Sequence, residues 1–278
     1  MSPASPPQIM FVTGAASGIG RCLAGRLLAA GHALVLTGQD LPTLEAIAAA
    51  DRWPANRAHL RELDVRDVER WRALIDETLA RFGRLDVLWN VAGVIQPGYV
   101  HESNPEAVSL HIDVNAKGAM FGSQIAASRM VQQGYGHIVN IASLAALAPV
   151  PGIALYTASK FALRGFSLAL AEELRPHGVA VTTVCPDAVQ TPMLDLQIDY
   201  REAALTFSGS RQLTVDEVCD VLTGRVLSQR PLEVTLPRYR GWMAKLTSLW
   251  PGIARRVGSR LDRQGLARQA KYKAHRDS

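Results

Sequence analysis

The chain has 278 residues, 48% of them hydrophobic, and a formal net charge of +5. This length and apolar fraction are enough for one buried α/β core, and no uninterrupted run of about 18 apolar residues predicts a membrane-spanning helix. The cysteines (Cys22, Cys185 and Cys219) are widely spaced and no His/Cys cluster has metal-ligand spacing, so neither a disulfide framework nor a metal site is expected.

The sequence begins MSPASPPQ. This stretch lacks the positive segment and the long apolar segment of a secretory signal. Cysteines without pairing also fit a reducing compartment. We therefore expect a cytoplasmic protein.

The positive charge is concentrated near the C-terminus. Residues 237–278 contain 11 Lys/Arg and two Asp/Glu, whereas the preceding residues contain 19 Lys/Arg and 23 Asp/Glu. The basic character therefore belongs to this segment and not to the body of the chain. No base-reading module and no aromatic interleaving accompany the basic residues, so nucleic-acid binding is not expected.

Short apolar runs alternate with helical patterns along most of the chain. The runs that predict strands are 9–13, 33–37, 59–63, 85–90, 137–142 and 179–185, and the helical patterns cover 21–30, 40–50, 67–82, 105–131 and 156–175. Strands that form continuous apolar runs are buried on both faces, as in a parallel sheet. Their alternation with helices predicts an α/β fold with a doubly wound parallel sheet.

A glycine-rich turn joins the first strand to the first helix. It reads TGAASGIG over residues 13–20. Glycine lets the backbone turn tightly and approach a phosphate, and the helix that follows presents free N–H groups and a positive dipole end. The turn therefore predicts a phosphate-binding site; the alternative is a turn that binds nothing.

Tyr156 and Lys160 stand four residues apart in the segment YTASK. On a helix this spacing places both side chains on one face. Taken alone, the pair has two interpretations: a proton-transfer pair, or an ordinary helix that carries an aromatic and a basic residue.

These two motifs occur together with others that resemble the motifs of the short-chain dehydrogenase/reductase family. TGAASGIG resembles the family's cofactor loop, Asp64-Val65 its adenine-contacting pair, and Asn90–Gly93 (NVAG) its NNAG sequence with valine for the second asparagine. Asn115 resembles the family's helix asparagine. Ser143 matches the active-site serine and precedes the tyrosine of YxxxK by 13 residues, the usual separation.

The resemblance runs from residue 8 to residue 236. It implies a single Rossmann-fold domain over 8–236. The residues that follow, 237–278, are predicted from their own composition to form a basic amphipathic helical extension. The resemblance also implies that the protein binds a nicotinamide cofactor, NAD or NADP, and transfers hydride.

The resemblance further implies a role for each matching residue. The catalytic residues would be Asn115, Ser143, Tyr156 and Lys160. The cofactor would contact Gly14, Ser17, Gly18, Ile19, Gly20, Gln39, Asp64, Val65, Asn90, Ala92, Gly93, Tyr156, Lys160, Pro186, Asp187, Val189 and Thr191. The substrate would contact Ser143, Ala145, Tyr156 and Met193.

The chemistry of the tyrosine explains why the lysine is needed. The pKa of tyrosine is ordinarily near 10, and a nearby ammonium favours the phenolate, so Lys160 is expected to lower the pKa of Tyr156. By resemblance, Lys160 would also bind the nicotinamide ribose and Ser143 would hold the substrate oxygen. Asn115 would hold a water that links Lys160 to solvent.

The residues after the second predicted strand bear on the choice of cofactor. By resemblance, an acidic residue at position 38 would bond the ribose 2′-OH of NAD, and an arginine at position 39 would pair with the 2′-phosphate of NADP. The chain has Gly38 and Gln39 instead. Asp40 either opposes a phosphate or only caps the next helix, and Arg21 is a less well placed cation. Both cofactors remain open, with a slight preference for NAD.

The segment between Ser143 and Tyr156, LAALAPVPGIAL, has no charged and no polar side chain. It is interpreted either as core packing or as the wall of a site for an apolar substrate such as a steroid, terpenoid, long-chain ketone or lipid. Met193 and Leu194, with a mobile stretch over 191–212, would form an apolar lid.

Asp187, in CPDAVQT, stands where the family usually has glycine. Aspartate tolerates left-handed backbone better than most residues, so the turn can survive. A carboxylate at this position could still alter cofactor affinity or select a polar substrate group.

The extension combines apolar and basic residues. Trp242, Leu246, Leu249 and Ile253 have helical spacing, and Pro251 is expected to kink the helix or to begin a new one. Basic residues follow at Arg255, Arg256, Arg260, Arg263, Arg268, Lys271 and Lys273. Two interpretations stay open: an interfacial helix on a membrane surface over 240–273, or an apolar stripe that packs on the enzyme body or on another subunit.

The sequence thus predicts an NAD(P)-dependent oxidoreductase that interconverts a secondary alcohol and a ketone. The alternative is a nicotinamide-binding protein of the same fold without turnover, in a redox-sensing or scaffold role, which Asp187 keeps open. An epimerase or dehydratase of the extended branch also uses YxxxK, but the short length and the GxxxGxG spacing argue against it. By resemblance, a homodimer or homotetramer is expected.

Overall fold

The computed structural model describes residues 6–276, apart from the side chains of residue 251 and of residues 253–260, and within that range seven strands form one sheet. The strands are β1 (Ile9–Thr13), β2 (Ala33–Gly38), β3 (Ala58–Glu62), β4 (Val87–Asn90), β5 (Gly136–Ile141), β6 (Val179–Pro186) and β7 (Glu233–Leu236). Every neighbouring pair is parallel, in the order β3-β2-β1-β4-β5-β6-β7.

Helices cover both faces of this sheet. They are α1 (Gly18–Ala29), α2 (Leu41–Ala50), α3 (Val68–Phe82), α4 (Glu106–Ile112), α5 (Ala119–Gln133), α6 (Ala154–Leu174), α7 (Pro192–Asp195), α8 (Val215–Val221), α9 (Leu227–Gln229), α10 (Arg238–Leu249) and α11 (Pro251–Arg276). A π-helical turn (Asp113–Gly118) joins α4 to α5, and another (Leu222–Val226) joins α8 to α9. None of the helices among the described residues is long and apolar enough to cross a membrane.

The strands are apolar along their whole length because each face of the sheet has its own core. Side chains alternate across a strand, so Met10 and Val12 of β1 join the cluster formed with α1 and α8. Phe11, between them, joins the opposite cluster and stacks on Trp71 of α3 with the ring centroids 5.3 Å apart. This two-sided burial confirms the predicted doubly wound parallel sheet.

The order of the strands fixes the position of a binding site. The chain moves outward from β1 to β2 and β3, and then returns to place β4 on the other side of β1. Ligands bind parallel sheets at the carboxyl edge where the direction of winding reverses. The loops after β1, β4, β5 and β6 meet at this edge, and they carry the glycine turn, NVAG, Ser143 and Asp187.

The structure adds elements that the sequence patterns did not predict. The edge strand β7 has only four residues, too few for a clear pattern, and it pairs with β6 from Thr183 to Pro186. The single long helix predicted over 105–131 is instead interrupted by the π-helical turn that contains Asn115. Such turns insert a residue into a helix without changing its apolar periodicity enough to be recognised.

The C-terminal extension packs on the body of the protein. Pro251 begins α11, which confirms one of the two alternatives for that proline. In α11, Arg268 donates to the carbonyl oxygens of Ser208 and Gly209, and Gln269 donates to those of Gln197 and Tyr200 at 2.8 Å each. The predicted position of Ile253 in the apolar stripe lies outside the described side chains.

These contacts change the interpretation of the stretch 191–212. It was expected to be a mobile apolar lid, but it contains α7 and a 3₁₀ helix (Arg201–Ser208) in which Ala203, Ala204 and Phe207 are fully buried. The ring of Phe207 lies 5.7 Å from that of Tyr272 in α11. The segment is therefore held in place by the extension, which the sequence pattern could not reveal.

Gly265 provides a test of this docking. A Cβ atom at this position would lie 2.1 Å from the carbonyl oxygen of Ala204, so we expect Gly265→Ala to lower the free energy of unfolding by about 1–3 kcal/mol. The measurement is thermal or urea unfolding.

Gly224→Ala is the matched control, because a Cβ at Gly224 would meet no atom within 4 Å. In a helix this change is expected to be neutral or to stabilise by up to about 1 kcal/mol. Equal effects of the two substitutions would contradict the docking of α11 on residues 201–208.

Candidate active site

A cavity of about 250 Å³ lies at the carboxyl edge of the sheet, and residues of the extension form part of its wall. Its lining includes these predicted site residues: Ile19, Gly93, Ser143, Ala145, Tyr156, Lys160, Pro186, Asp187, Val189, Thr191 and Met193. The other predicted site residues lie outside its lining: Gly14, Ser17, Gly18, Gly20, Gln39, Asp64, Val65, Asn90, Ala92 and Asn115.

The glycine turn is shaped by close backbone contacts. Gly14 has a φ of +68°, and a Cβ there would lie 2.9 Å from the Cα of Ala92. A Cβ on Gly20 would lie 2.1 Å from the carbonyl oxygen of Gly14. The first and last glycines of the motif therefore allow α1 to begin directly against the turn and against the NVAG loop.

The start of α1 is suited to an anion. Ser17 is the N-cap residue, but its side chain makes no capping hydrogen bond, and the first turn of α1 contains no acidic residue. The first N–H groups of a helix have no intrahelical partner and carry partial positive charge. A phosphate could accept those hydrogen bonds. A Cβ at Gly18 would lie 3.1 Å from Cγ2 of Thr191, so a side chain at this position would crowd the start of α1.

Thr13 is a site residue that sequence reasoning missed. Its hydroxyl accepts hydrogen bonds from the backbone N–H groups of Val91 and Ala92, at 3.0 and 3.1 Å. It thereby fixes the loop after β4 to the end of β1. Threonine opens the glycine motif, but the local sequence does not indicate its partner, which is 78 residues away.

Asn115 organises the loop on the other side of the cavity. Its Oδ1 accepts from the N–H of Val94 at 2.7 Å, and its Nδ2 donates to the carbonyl of Val94 at 2.9 Å and to Ser159 Oγ at 3.0 Å. Ser159 Oγ in turn donates to the carbonyl of Tyr156. The side chain thus joins the loop after β4 to α6; the water that it was expected to hold for Lys160 stays a prediction.

Tyr156 is buried, and this burial raises its pKa to about 12, although a hydrogen bond with Ser143 acts in the opposite direction. The expectation that the protein lowers the pKa of this tyrosine is therefore wrong for the residues as they stand. The physical reason is that the phenol lies in an apolar cavity, where its charged form is poorly solvated.

Lys160 is also buried. Burial lowers its pKa to about 8, and its Nζ donates to the carbonyl of Ile141 at 2.9 Å. The same atom lies 5.6 Å from the ring centroid of Tyr156. The lysine thus approaches the face of the ring and does not hydrogen-bond to the phenol oxygen.

The side chain of Asn90 forms hydrogen bonds inside the protein, whereas its motif predicted a contact with the cofactor. Its Nδ2 donates to Ser123 Oγ at 3.0 Å and to Asn140 Oδ1 at 2.8 Å, inside the protein. The side chain therefore joins β4, β5 and α5. A cofactor contact at Asn90 would have to come from its backbone.

The far end of the edge, after β2 and β3, carries charges that are already paired. Arg66 binds Asp64 and lowers the pKa of that carboxyl, and Gln39 donates to the same carboxylate at 3.4 Å. Arg21 forms a two-bond ion pair with Asp51. Asp40 accepts from the N–H of Thr43 at 3.0 Å, so it caps α2, one of its two predicted roles.

The turn after β6 holds the least expected contact of the site. Arg240, from α10 of the extension, places Nε 2.5 Å from Oδ2 of Asp187. Burial raises the pKa of Asp187, although the neighbouring guanidinium acts in the opposite direction. The sequence flagged Asp187 as a departure but gave no sign of its partner, which is 53 residues away.

The remaining wall of the cavity is mainly apolar. The apolar side chains in its lining include Leu144, Ala148, Val150, Ile153, Leu194, Leu205, Met243 and Ala244. Two polar side chains of the wall pair with each other, since Gln197 accepts a hydrogen bond from Thr206 at 2.9 Å. The segment between Ser143 and Tyr156 therefore forms part of the cavity as well as part of the core.

Two buried histidines lie outside this cavity and contact other parts of the protein. His111 is fully buried, with Nε2 accepting from the N–H of Gln96 and Nδ1 in contact with the carbonyl of Ala107. His137 is buried against Thr182, and burial lowers its pKa to about 3. Among the described residues, no group of His, Cys, Asp and Glu could hold a metal ion.

Comparison with known proteins agrees with this geometry. A family model described as short chain dehydrogenase matches residues 8–200. The chain is 33% identical over 233 residues to the short-chain reductase protein NovJ of Streptomyces niveus, covering 84% of this chain and 86% of NovJ. It is 36% identical over 189 residues to an uncharacterised oxidoreductase of Staphylococcus saprophyticus, covering 67% and 80%.

A solved structure extends the likeness to the fold. The short-chain dehydrogenase/reductase of Burkholderia phymatum, solved in complex with NAD, matches with a TM-score of 0.79 and 26% identity, covering 89% of this chain and 95% of that chain. The glycine turn and the YxxxK helix seen in the structure agree with the family match. The chain belongs to the short-chain dehydrogenase family and is an NAD(P)-dependent oxidoreductase.

Proposed function

We propose that the protein interconverts a secondary alcohol and a ketone on an apolar substrate. The observation that carries this proposal is the meeting of Ser143, Tyr156 and Lys160 in one cavity whose remaining wall is mainly apolar. The chemical classes that fit such a wall are steroids, terpenoids, long-chain ketones and other lipids. Burial of their apolar surface contributes about 25 cal/mol per Å².

The residues of the glycine turn fit the dinucleotide that this chemistry needs. The absence of a side chain at Gly14 and Gly20 allows the tight turn, and the uncapped start of α1 at Ser17 would bind the diphosphate. When bound, the nicotinamide supplies or takes up the hydride at the substrate carbon. We assign the predicted cofactor residues to this ligand, with Asn90 acting through its backbone.

Ser143 and Tyr156 would handle the proton. Ser143 Oγ would hold the substrate oxygen by a hydrogen bond, and in the reducing direction the phenol of Tyr156 would donate its proton to that oxygen. In the oxidising direction the phenolate would take the proton back. A raised pKa keeps Tyr156 protonated before reduction, which suits a general acid.

Lys160 would act beside the tyrosine. By family resemblance, its ammonium would bind the nicotinamide ribose. Its Nζ lies 5.6 Å from the ring centroid of Tyr156, where a positive charge favours the phenolate over the phenol. Burial remains the larger effect on the pKa of Tyr156.

We propose NAD as the preferred cofactor. Recognition of the 2′-phosphate of NADP needs a cation near the end of β2. Among the described residues there, Arg21 is paired with Asp51 and Arg66 with Asp64. A 2′-phosphate would have to compete with these carboxylates, whereas a 2′-OH would not.

The cofactor-binding alternative without turnover rested on the carboxylate of Asp187. Its ion pair with Arg240 neutralises that carboxylate, so we do not propose the alternative. Two further proposals concern partners. By family resemblance we propose a homodimer or homotetramer, for which exposed Val108 of α4 and Phe161 of α6 offer apolar surface.

We further propose that α10 contacts an anionic membrane surface. Six large apolar side chains of this region are at least half exposed: Tyr239, Trp242, Met243, Leu246, Leu249 and Trp250. Soluble monomers rarely expose such a continuous patch, and tryptophan on one face of a helix in a strongly basic segment is typical of an interfacial helix. Met243 also lines the cavity, so the patch borders the substrate site.

Tyr156→Phe tests the proposed chemistry. Turnover of apolar ketones is expected to fall by about 10²–10⁴-fold, because the variant has no proton to donate. Binding of NADH and NADPH, measured separately by fluorescence, should persist, with NADH the tighter. Cofactor binding without turnover of any ketone by the wild type would contradict the proposal and restore the alternative.

Lys160→Met separates stability from catalysis. Folded Lys160 loses its proton near pH 8, well below the ordinary lysine value of about 10.4, so the unfolded chain binds more protons between these values and wild-type stability rises there with pH. The variant should therefore be more stable than the wild type at neutral pH, by on the order of 1–3 kcal/mol, with the advantage shrinking near pH 10.

Unfolding by urea at the two pH values measures this difference, and turnover should be lost at both. Lys271→Met, at an exposed position of α11, is the control and should show no such pH dependence. If Lys160→Met were less stable than the wild type at neutral pH, burial of the Lys160 ammonium would not be destabilising, and the prediction would be wrong.

Replacement of Trp242, Leu246 and Leu249 by Gln tests the membrane contact. Co-sedimentation with vesicles of phosphatidylcholine and phosphatidylserine should weaken by at least about tenfold, because the apolar surface that enters the interface is removed. Wild-type binding should also fall in high salt and with phosphatidylcholine alone.

Val100→Gln, another half-exposed apolar position, should leave vesicle binding unchanged. Light scattering of the triple variant completes the test. If it dissociates an oligomer while vesicle binding is unaffected, the patch is covered by a second copy of the chain and the membrane proposal fails.

A further inference from the structure

We infer that Arg240 is a positioning residue of the active site: from the C-terminal extension it supplies the charge that fixes Asp187 in the cavity wall. This inference rests on the proposed function, because it concerns the same cavity. Without the extension, the turn after β6 would carry a buried carboxylate with no cation.

The pair is held from several directions. Arg240 Nε lies 2.5 Å from Asp187 Oδ2, and Nη2 lies 3.5 Å from Oδ1 and 3.3 Å from Ser208 Oγ. The backbone N–H of Asp187 donates to the carbonyl of Leu236 at 2.7 Å. Asp187 is thus fixed by β7 through its backbone and by α10 through its side chain.

The location of the pair connects it to the chemistry. Asp187 and Arg240 both line the cavity that contains Tyr156 and Lys160. The turn that begins at Asp187 ends at Thr191, whose side chain packs against Gly18 at the start of α1. A displacement of Asp187 would therefore move the turn that joins the substrate cavity to the glycine motif.

Among the described residues, the groups around Asp187 do not provide a second cation that could replace Arg240. The side chain of Asp187 is only 11% exposed, so solvent screens its charge poorly. On the elements packed against it, the 201–208 helix contributes Ser208, β7 contributes the Leu236 carbonyl, and the nearby cation Arg268 of α11 is bound to the Ser208 and Gly209 carbonyls. Removal of one partner of a buried pair leaves an uncompensated charge, which costs far more than removal of both.

The sign of the pH dependence follows from the burial. The pKa of Asp187 is already raised, and loss of the guanidinium would raise it further. Arg240 and the backbone N–H of Ala188 both oppose the effect of burial, and the coulombic contribution of Arg240 is the larger. In Arg240→Met the carboxyl would be protonated and tolerated at low pH, and ionised and unpaired at high pH. The defect should therefore grow as the pH rises.

The test compares Arg240→Met, Asp187→Asn and the double variant in the full-length protein. For Arg240→Met we expect kcat/KM to fall by about tenfold or more at pH 8.5 and by less at the lowest pH at which the protein stays folded, with a parallel loss of NADH affinity measured without substrate. The double variant should recover both quantities to the level of Asp187→Asn alone and show no added pH dependence. Arg240→Lys, which keeps a charge but not the planar fork, should be intermediate.

Two further measurements keep the outcome decisive. Thermal unfolding of the protein without cofactor should show the same rescue, so the inference can be judged even if no ketone is turned over and the proposed function fails. Arg211→Met, which breaks the exposed Arg211–Glu217 pair, is the matched control and should change none of these quantities. Wild-type values in Arg240→Met, or an equal defect in the double variant at both pH values, would overturn the inference.

Discussion

The site depends on an ammonium group that is kept out of water. Lys160 is 3% exposed, and burial lowers its pKa to about 8. A cation in such surroundings is tolerated only where its hydrogen bonds are satisfied, and the carbonyl of Ile141 provides one of them. Because a small movement would cost this bond, the elements around the lysine have to be rigid.

That requirement accounts for the dense polar network around α6. Asn115 joins the loop after β4 to Ser159, and Ser159 bonds to the backbone of Tyr156. The π-helical turn places Asn115 at this point and leaves the helix on each side free to pack against the sheet. The network therefore fixes the tyrosine and the lysine relative to each other by backbone contacts as well as by their own helix.

Much of this arrangement could be predicted from the sequence because its causes are local. Apolar runs predicted six of the seven strands found among the described residues. The glycine-rich motif predicted the tight turn that is found at Gly14. The exceptions are contacts between distant segments. Neither the bond of Thr13 to Val91 nor the pair of Asp187 with Arg240 leaves a mark in local composition, since each depends on how the finished fold brings two segments together.

The extension was the least predictable part for the same reason. Its composition indicated an amphipathic helix, but could not distinguish a helix on a membrane from one on the protein. In the structure α11 packs on residues 201–208, whereas the outer side chains of α10 remain exposed. The composition of a helix indicates which of its faces is apolar, but not which surface that face contacts.

The docking of α11 also has a consequence for biosynthesis. The ribosome produces the sheet and α6 first, but Arg268 and Gln269 reach back to carbonyl groups 59 to 72 residues earlier. Domains begin to fold as they emerge, so a nascent chain would hold a sheet with an open cavity until α11 has left the exit tunnel. During that interval the apolar wall is exposed, and the growing chain would be a substrate for chaperones before it is an enzyme.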